Sequence, residues 1–424
     1  MAYSYDAPVS SSIPRQVSFS RSILIVSLCA AFLFYKYIIQ NFPSVMAPEL
    51  MDAFHLQGLG LGVLSGVYFW TYLIMPLFVG ILLDAYGARW LTAAAIFSCV
   101  AGLFLFAQAE HLNTAILGRA LTGLGVSFAA IAYFKLASVW FAKKHYALLT
   151  SLLVSSGMMG AVFGQAPLAY LVEHVGWRDS LSYLAWLGIA LALFFILYVK
   201  DEQNSSAKPI QTGTQSALWH DVLQIIKNKN NWLLAAYNGL AFAPLVVFCG
   251  LWGNPFLQKA YGLDKVASPS LISLVFIGLA VSSLLFGMVA HYVRKRRAVM
   301  FYSTVCSAVC LSLVIYAHPM PLWLLGSLLF FFGFCLGPFS LVFVIGKELN
   351  PLHLAGTTIS LINASDAFLD AVTEPAIGKV LDWVGSTGSY GDGFSLLGYH
   401  IALAILPLYQ VIGAVLLKWV KDES

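Results

Sequence analysis

"KDEQNSSAKPIQTGTQSALWHDVLQIIKNKNN", residues 200–231, is the longest polar stretch in a chain of 424 residues and the one segment with the composition of a linker. The rest of the chain is of another kind. Hydrophobic residues make up 60% of the sequence and charged residues only 10%, where soluble domains carry about 25% charged residues. The composition is that of an integral membrane protein. Apolar runs near the roughly 20 residues that cross a bilayer fall at about 22–45, 59–83, 90–108, 112–140, 147–172, 180–199, 232–256, 270–291, 298–317, 322–345, 356–380 and 396–419. Six precede residues 200–231 and six follow. The expected fold is therefore an all-α membrane protein of twelve transmembrane helices in two six-helix halves. Its parts are a tail at 1–21, a first half at 22–199, the linker, a second half at 232–419 and a tail at 420–424. Inside the linker, "ALWHDVLQIIKN" repeats apolar residues at helical spacing, as an amphipathic surface helix does.

An even number of spans puts both termini on one side, and Lys and Arg choose the side. The loops shared with the termini carry Arg15, Arg21, Arg89, Lys143, Lys144, Lys200, Lys208, Lys227, Lys229, Arg294, Lys295, Arg296, Arg297, Lys347, Lys418 and Lys421, while the opposite loops carry Arg178, Lys259 and Lys265. The termini are expected in the cytoplasm, with the chain in a bacterial inner membrane. The net charge of +4 follows from that topology, and "RKRR" at 294–297 reads as a membrane-orienting loop rather than a nucleic-acid patch. The N-terminal polar stretch is too long for a cleaved signal, so the first span is read as retained. Cys29, Cys99, Cys249, Cys306, Cys310 and Cys335 all lie in apolar runs without metal spacing and read as small hydrophobes.

The halves repeat one another. Ala147 to Pro167 ("ALLTSLLVSSGMMGAVFGQAP") and Ala355 to Pro375 ("AGTTISLINASDAFLDAVTEP") both begin after a polar loop and reach a proline twenty residues later. Halves of this kind leave a cavity between them near the bilayer midplane. The second stretch carries Asp366, Asp370 and Glu374 four residues apart, where the first has Met158, Val162 and Ala166. A step of four turns a helix by about 40° beyond a full turn, so the acids form one slowly winding stripe.

"GILLDAYGARW", residues 80–90, resembles the loop signature of the major facilitator superfamily through Gly80, Asp84, Gly87 and Arg89. That resemblance implies a cytoplasmic gate element, in which Gly80 allows close helix approach and Asp84 faces a helix N-terminus. The second-half counterpart, "GMVAHYVRKRR", keeps Gly287 but has His291 in place of the acid. "GRALTGLG", with Arg119, Gly123 and Gly125, resembles the superfamily's RxxxGxG element, whose arginine is tied to substrate binding or proton transfer. The drug-antiporter element of span five is missing, since this chain has "GMMGAVFGQAP" there. Residues 32–50 and 60–90 are similar to phagosomal-transporter-type carriers of intracellular bacteria and, more distantly, to lysosomal dipeptide carriers. Those relatives imply inward movement of amino acids, short peptides or nucleosides.

Ionisable side chains inside spans are costly and mark function. Lys36 lies between Tyr35 and Tyr37, with Gln40 one turn on, a setting that suits an organic ligand. The expected substrate-binding set is Tyr35, Lys36, Tyr37, Gln40, Arg119, Gln165, Asn238, Asn363 and Asp366. Asp366, Asp370, Glu374 and Arg119 are the proton-coupling candidates, and Gly80, Asp84, Gly87, Arg89 and Lys135 the gate. Lys135 also admits a second reading, as a lysine snorkelling to the headgroups, which is the reading given to Lys379. Buried cations in the first half and buried anions in the second suit a zwitterion bridging the halves, or a direct salt bridge without ligand. The sequence carries none of the nucleotide-binding, metalloprotease or serine-hydrolase motifs. The expectation is a non-enzymatic, proton-coupled importer without cofactor or metal, working as a monomer in the bilayer on a small-molecule substrate. An exporter of a small organic molecule or siderophore, and a transport-dead sensor, stay open.

Overall fold

A computed structural model describes residues 19–141, 145–199, 225, 227–289, 295–351, 354–385 and 394–420. Residues 217–224 and 226 of the expected amphipathic helix, and His291, lie outside the described residues. Where no water reaches the backbone, each polar group must be satisfied within its own segment, so the apolar runs become helices. The first half consists of α1 (Phe19–Val45), α2 (Gly58–Ile74 continuing as Pro76–Tyr86), α3 (Ala88–Ala107), α4 (Leu112–Val126 and Phe128–Trp140), α5 (Tyr146–Phe163 and Ala166–Val175) and α6 (Trp177–Tyr198). The second consists of α7 (Lys229–Val247, Phe248–Trp252 and Gly253–Tyr261), α8 (Ala267–Val289), α9 (Arg296–Tyr316), α10 (Leu322–Cys335, Gly337–Ser340 and Leu341–Glu348), α11 (Ala355–Val384) and α12 (Leu396–Leu403, Ile405–Leu416 and Leu417–Trp419). Each falls within about a turn of its expected span.

By length and apolarity alone, ten of these qualify as membrane-crossing. The remaining two are α2, interrupted at Met75, and α11, which carries Asp366, Asp370, Glu374, Lys379 and Asp382. Both prove central to the site.

Packing repeats with a period of six helices. Within the first half α1 lies on α5, α2 on α4, and α3 on α4 and α6; within the second α7 lies on α11, α8 on α10, and α9 on α10 and α12. Glycines bring backbones together at these crossings. A Cβ on Gly102 would stand 2.5 Å from Gly118 O, and one on Gly118 would stand 2.6 Å from Gly102 O. The turns α2–α3 and α5–α6 are each a single glycine with positive φ, Gly87 at 85° and Gly176 at 82°, a conformation that other residues rarely adopt.

The halves join along α2 on α11 and α8 on α5, which are related by the same period, and also where α1 meets the Phe248–Tyr261 part of α7. We call the face that carries residues 19 and 420 proximal and the opposite one distal.

Candidate functional site

Along α2 and α11 the halves meet most tightly toward the distal face. Gly58, Gly62 and Gly66 of α2 lie at intervals of four, and a Cβ on them would meet Gly378 O at 2.6 Å, Glu374 O at 2.5 Å and Ala371 O at 3.1 Å on α11. The seam continues to an edge-to-face contact between Trp70 and Phe368 at 5.9 Å. Pro375 sits inside α11 without ending it. Lacking an N–H, it leaves Ala371 O without its helical donor, and that carbonyl is the one facing Gly66.

Below this seam, Lys36 of α1 is only 7% exposed. Its Nζ stands 4.0 Å from the centre of the Tyr37 ring and 4.9 Å from that of Tyr72 on α2, a geometry in which ring faces attract a cation. The acids that interact with it electrostatically, Asp366 and Asp370, come from the other half. Among the described residues neither forms an ion pair with it. Asp366 is half-buried and Asp370 buried, and Oδ1 of each lacks a hydrogen-bond partner among the described residues. Of the two readings left open by the sequence, the direct salt bridge is not formed among the described residues: a cation from one half and two carboxyls from the other lie within electrostatic reach without an ion pair.

Glu374 differs from its two neighbours. It is 0% exposed, and both its carboxyl oxygens lack close hydrogen bonds among the described residues. Gly250 lies opposite: a Cβ there would meet Asn41 Oδ1 at 3.8 Å and Glu374 Oε1 at 3.9 Å. Asn41 Nδ2 and Ser65 Oγ, both buried, make no close hydrogen bond either, although Ser65 lies within electrostatic reach of the Glu374 carboxyl.

Arg119, 1% exposed, donates from Nη1 to Ile39 O and from Nη2 to Gln40 O, each at 2.8 Å. The first acceptor has a simple origin. Pro43 lies inside α1, and its missing N–H strands the carbonyl four residues back, which is Ile39. The guanidinium also stacks near Phe42 and Tyr68, at 4.7 and 4.5 Å. Arg119 therefore ties down the carbonyl that Pro43 frees in α1, just beyond Lys36.

Gln165 plays a comparable part between the halves. In α7 the N–H of Gly253 bonds Phe248 O, five residues back, through the π-helical segment Phe248–Trp252. Cys249 O, which an α-helix would have paired with that N–H, accepts instead from Gln165 Nε2 at 2.9 Å. Asn254 Nδ2 then donates to Gln165 Oε1 and to Ser44 Oγ, both at 2.8 Å. Further out, Lys265 pairs with Glu49 at 2.5 Å. Asp382 of α11 accepts from the Gly58 and Leu59 N–H groups at 2.7 and 2.8 Å. Among the described residues these contacts bridge the halves and close the distal end of their interface.

Other expected site residues lie elsewhere. Tyr35 donates to Leu184 O at 3.1 Å, inside the first half. Asn238 donates to Ile362 O at 3.0 Å, inside the second. Gln40 Oε1 accepts from Tyr68 at 3.4 Å, while Asn363 and Lys379 are exposed. At the proximal end Lys135 Nζ donates to Leu83 O, and Arg89 Nε donates to Ile196 O at 2.9 Å. Close helix approach at Gly80 is not what this conformation has: no described atom lies within 4 Å of a Cβ there. The side chain of Asp84 lies outside the described residues. Sequence reading missed Tyr72, Asn41, Ser65, Asn254 and Asp382. The one-turn spacing of Tyr68 and Tyr72, stacked at 6.3 Å, and the GxxxGxxxG run at 58–66 were the available signals.

A cavity of about 260 Å³ opens on the distal face between Met51, Leu61, Trp252, Lys259, Phe394 and Tyr399. It includes neither Lys36 nor the three acids.

The family model described as Major Facilitator Superfamily matches residues 24–372. The chain belongs to this superfamily. Among similar proteins, the uncharacterized transporter YybO of Bacillus subtilis is 25% identical over 92% of this chain and 94% of its own. The lysosomal dipeptide transporter MFSD1 of Pongo abelii is 23% identical over 64% of this chain and 62% of its own. The crystal structure of the nucleoside transporter NupG superposes with a TM-score of 0.75 at 17% identity, covering 95% of this chain and 100% of that one. That likeness is one of fold. The chain is a multi-pass membrane transporter with the twelve-helix fold of its superfamily.

Proposed function

We propose that the protein imports a small polar organic solute, an amino acid, short peptide or nucleoside, across a bacterial inner membrane by proton-coupled alternating access. In this reading the proximal face is cytoplasmic and the protein works as a monomer. The observation that carries it is Lys36, a buried cation set on two tyrosine rings and opposed across the interface by Asp366 and Asp370 without an ion pair. A zwitterion completes such a site: its carboxylate meets Lys36, its ammonium meets the aspartates, and Tyr37 and Tyr72 flank the carbon skeleton. Three acids, Asp370 and Glu374 buried and Asp366 half-buried, against two buried cations disfavour a dicarboxylate, and amino acids and dipeptides rank first.

Each half supplies one polarity, so the bound solute draws the halves together, and binding energy is linked to closure. Arg119 supports Lys36 by tying down the carbonyl that Pro43 frees in α1. Glu374 carries the proton: Ser65 and Arg119 are in electrostatic reach of its carboxyl but no ion pair forms among the described residues, and a charge buried without one costs several kcal/mol, so the neutral carboxyl fits the shut distal face. Opening that face admits water and releases the proton outward only if the external pH is high; a lower external pH loads it. Inward movement of proton and solute follows.

The test is a thermal-shift screen of the purified protein against amino acids, dipeptides, nucleosides and organic acids, followed by uptake into proteoliposomes with and without a proton gradient. Stabilisation by one class and gradient-driven uptake of it are expected. Stabilisation without uptake would instead make the chain a sensor, and gradient-driven movement in the opposite direction an exporter.

A further inference from the structure

The first turn of a helix presents N–H groups with no partner in the helix, and the two seams meet this need differently. In α8 the need is met locally: Asp264, three residues before Ala267, accepts from the Val266 and Ala267 N–H groups at 2.9 and 2.6 Å. In α2 it is not. The residue at the capping position, Gln57, makes no side-chain capping bond. The two carboxyl oxygens of Asp382, from the opposite half, take the Gly58 and Leu59 N–H groups instead. Directly beneath, Gly58 and Gly378 touch backbone to backbone, and a Cβ on Gly378 would collide with Gly58 O.

We infer that Asp382 is a gating residue, the latch that holds the distal face shut by capping α2 from the other half. The cap exists only while α2 and α11 are together at their distal ends. When they part, α2 loses the acceptor for its first turn and Asp382 loses two charge-assisted bonds, each stronger than a neutral one. The negative carboxylate also sits where the helix dipole is positive. A cap supplied in trans thus ties the start of one helix to the relative position of the halves, which a cap in cis such as Asp264 does not. The gate expected from residues 80–89 lies at the other end of the same helix, so α2 carries a control point at each face. The latch stands on the fold and the seam alone and is independent of which solute is carried.

The experiment reads distances across the distal face. Spin labels are placed at Glu110, between α3 and α4, and Leu322, at the start of α10, in a cysteine-free background that retains the melting temperature of the native chain. Asp382→Ala is expected to raise the ratio of long to short distances about tenfold, equivalent to about 1.4 kcal/mol, at a melting temperature close to the parent's. Asp382→Asn, which keeps an acceptor oxygen but not the charge, is expected to give a smaller rise, about threefold. Gly378→Ala, which leaves the carboxylate intact and wedges the seam, is expected to move the distribution in the same direction. Unchanged distances in Asp382→Ala would overturn the assignment. If that variant does not insert, unchanged distances in Asp382→Asn with a shift in Gly378→Ala would overturn it equally.

Discussion

Two of the seams between the halves are built to one plan, α2 on α11 and α8 on α5, yet they are chemically unlike. Numbered from the start of the repeat, Met158, Val162 and Ala166 of α5 stand where α11 has Asp366, Asp370 and Glu374. Farther along, His174 of α5 occupies the place of Asp382. His174 contacts Tyr170 O of its own helix, whereas Asp382 reaches across to α2. The matched prolines also act differently. Before Pro167 the helix breaks at Gly164 and Gln165, freeing Gln165 to bond the opposite half, while α11 runs through Pro375 unbroken. A scaffold that folds without acids on one seam does not need them on the other. In the proposed reading the difference leaves packing and the Gln165 cross-link to α5 and gives solute, proton and latch to α11.

That division of labour can be broken by substitution. The largest effects belong to the bipolar site. Lys36→Ala and Asp366→Asn, inserted normally, are each expected to lower solute uptake about 100-fold, within the range for removing one member of a buried charge pair; wild-type uptake by both would remove the site from the account. Glu374→Gln comes next. Carrying a permanently neutral side chain where a proton must come and go, it is expected to lose gradient-driven accumulation about tenfold while still exchanging labelled for unlabelled solute. Gradient dependence equal to the native protein's would move proton coupling to Asp366 or Asp370.

Two glycines sharpen the comparison further. A Cβ at Gly62 would stand 2.5 Å from Glu374 O and 2.6 Å from Pro375 Cα, and backbone cannot yield as a side-chain tip does. Gly62→Ala is expected to reduce uptake about tenfold by holding the seam apart, roughly the scale of an overpacking defect. At Gly250 the same methyl meets nothing closer than 3.8 Å, so Gly250→Ala is expected to stay within about twofold. The smallest effect is reserved for the cap in cis. Asp264→Ala is expected to lower the melting temperature by no more than about 2 °C and to leave the distal distances unchanged.

Much of this was legible in the residues. Runs of apolar residues located all twelve helices, although α2 and α11 do not qualify by length and apolarity alone, and the cost of burying charge pointed to Lys36 and the acids of α11. What a single chain did not reveal was direction. Tyr35 and Lys36 are neighbours in sequence, yet one bonds within its half and the other faces the interface, a difference set by the rotation of α1. Arg119 and Gln165 carry the side chains of a binding site, but carbonyls freed by Pro43 and by the π-helical segment of α7 engage them. Such carbonyls depend on backbone detours that composition does not encode. Asp382 was invisible for another reason: its meaning lies in the missing cap of a helix more than 320 positions earlier.

The account rests on a solute held by opposite charges from opposite halves. The most direct measurement is the thermal stabilisation of the purified protein by free amino acids and dipeptides, compared with the same compounds blocked as amides or as N-acetyl derivatives. Stabilisation by the zwitterion, weakened at least about tenfold in apparent affinity by either block and absent in Lys36→Ala and Asp366→Asn, is the predicted result. Equal stabilisation by blocked and free compounds, or undiminished binding in both variants, would contradict it.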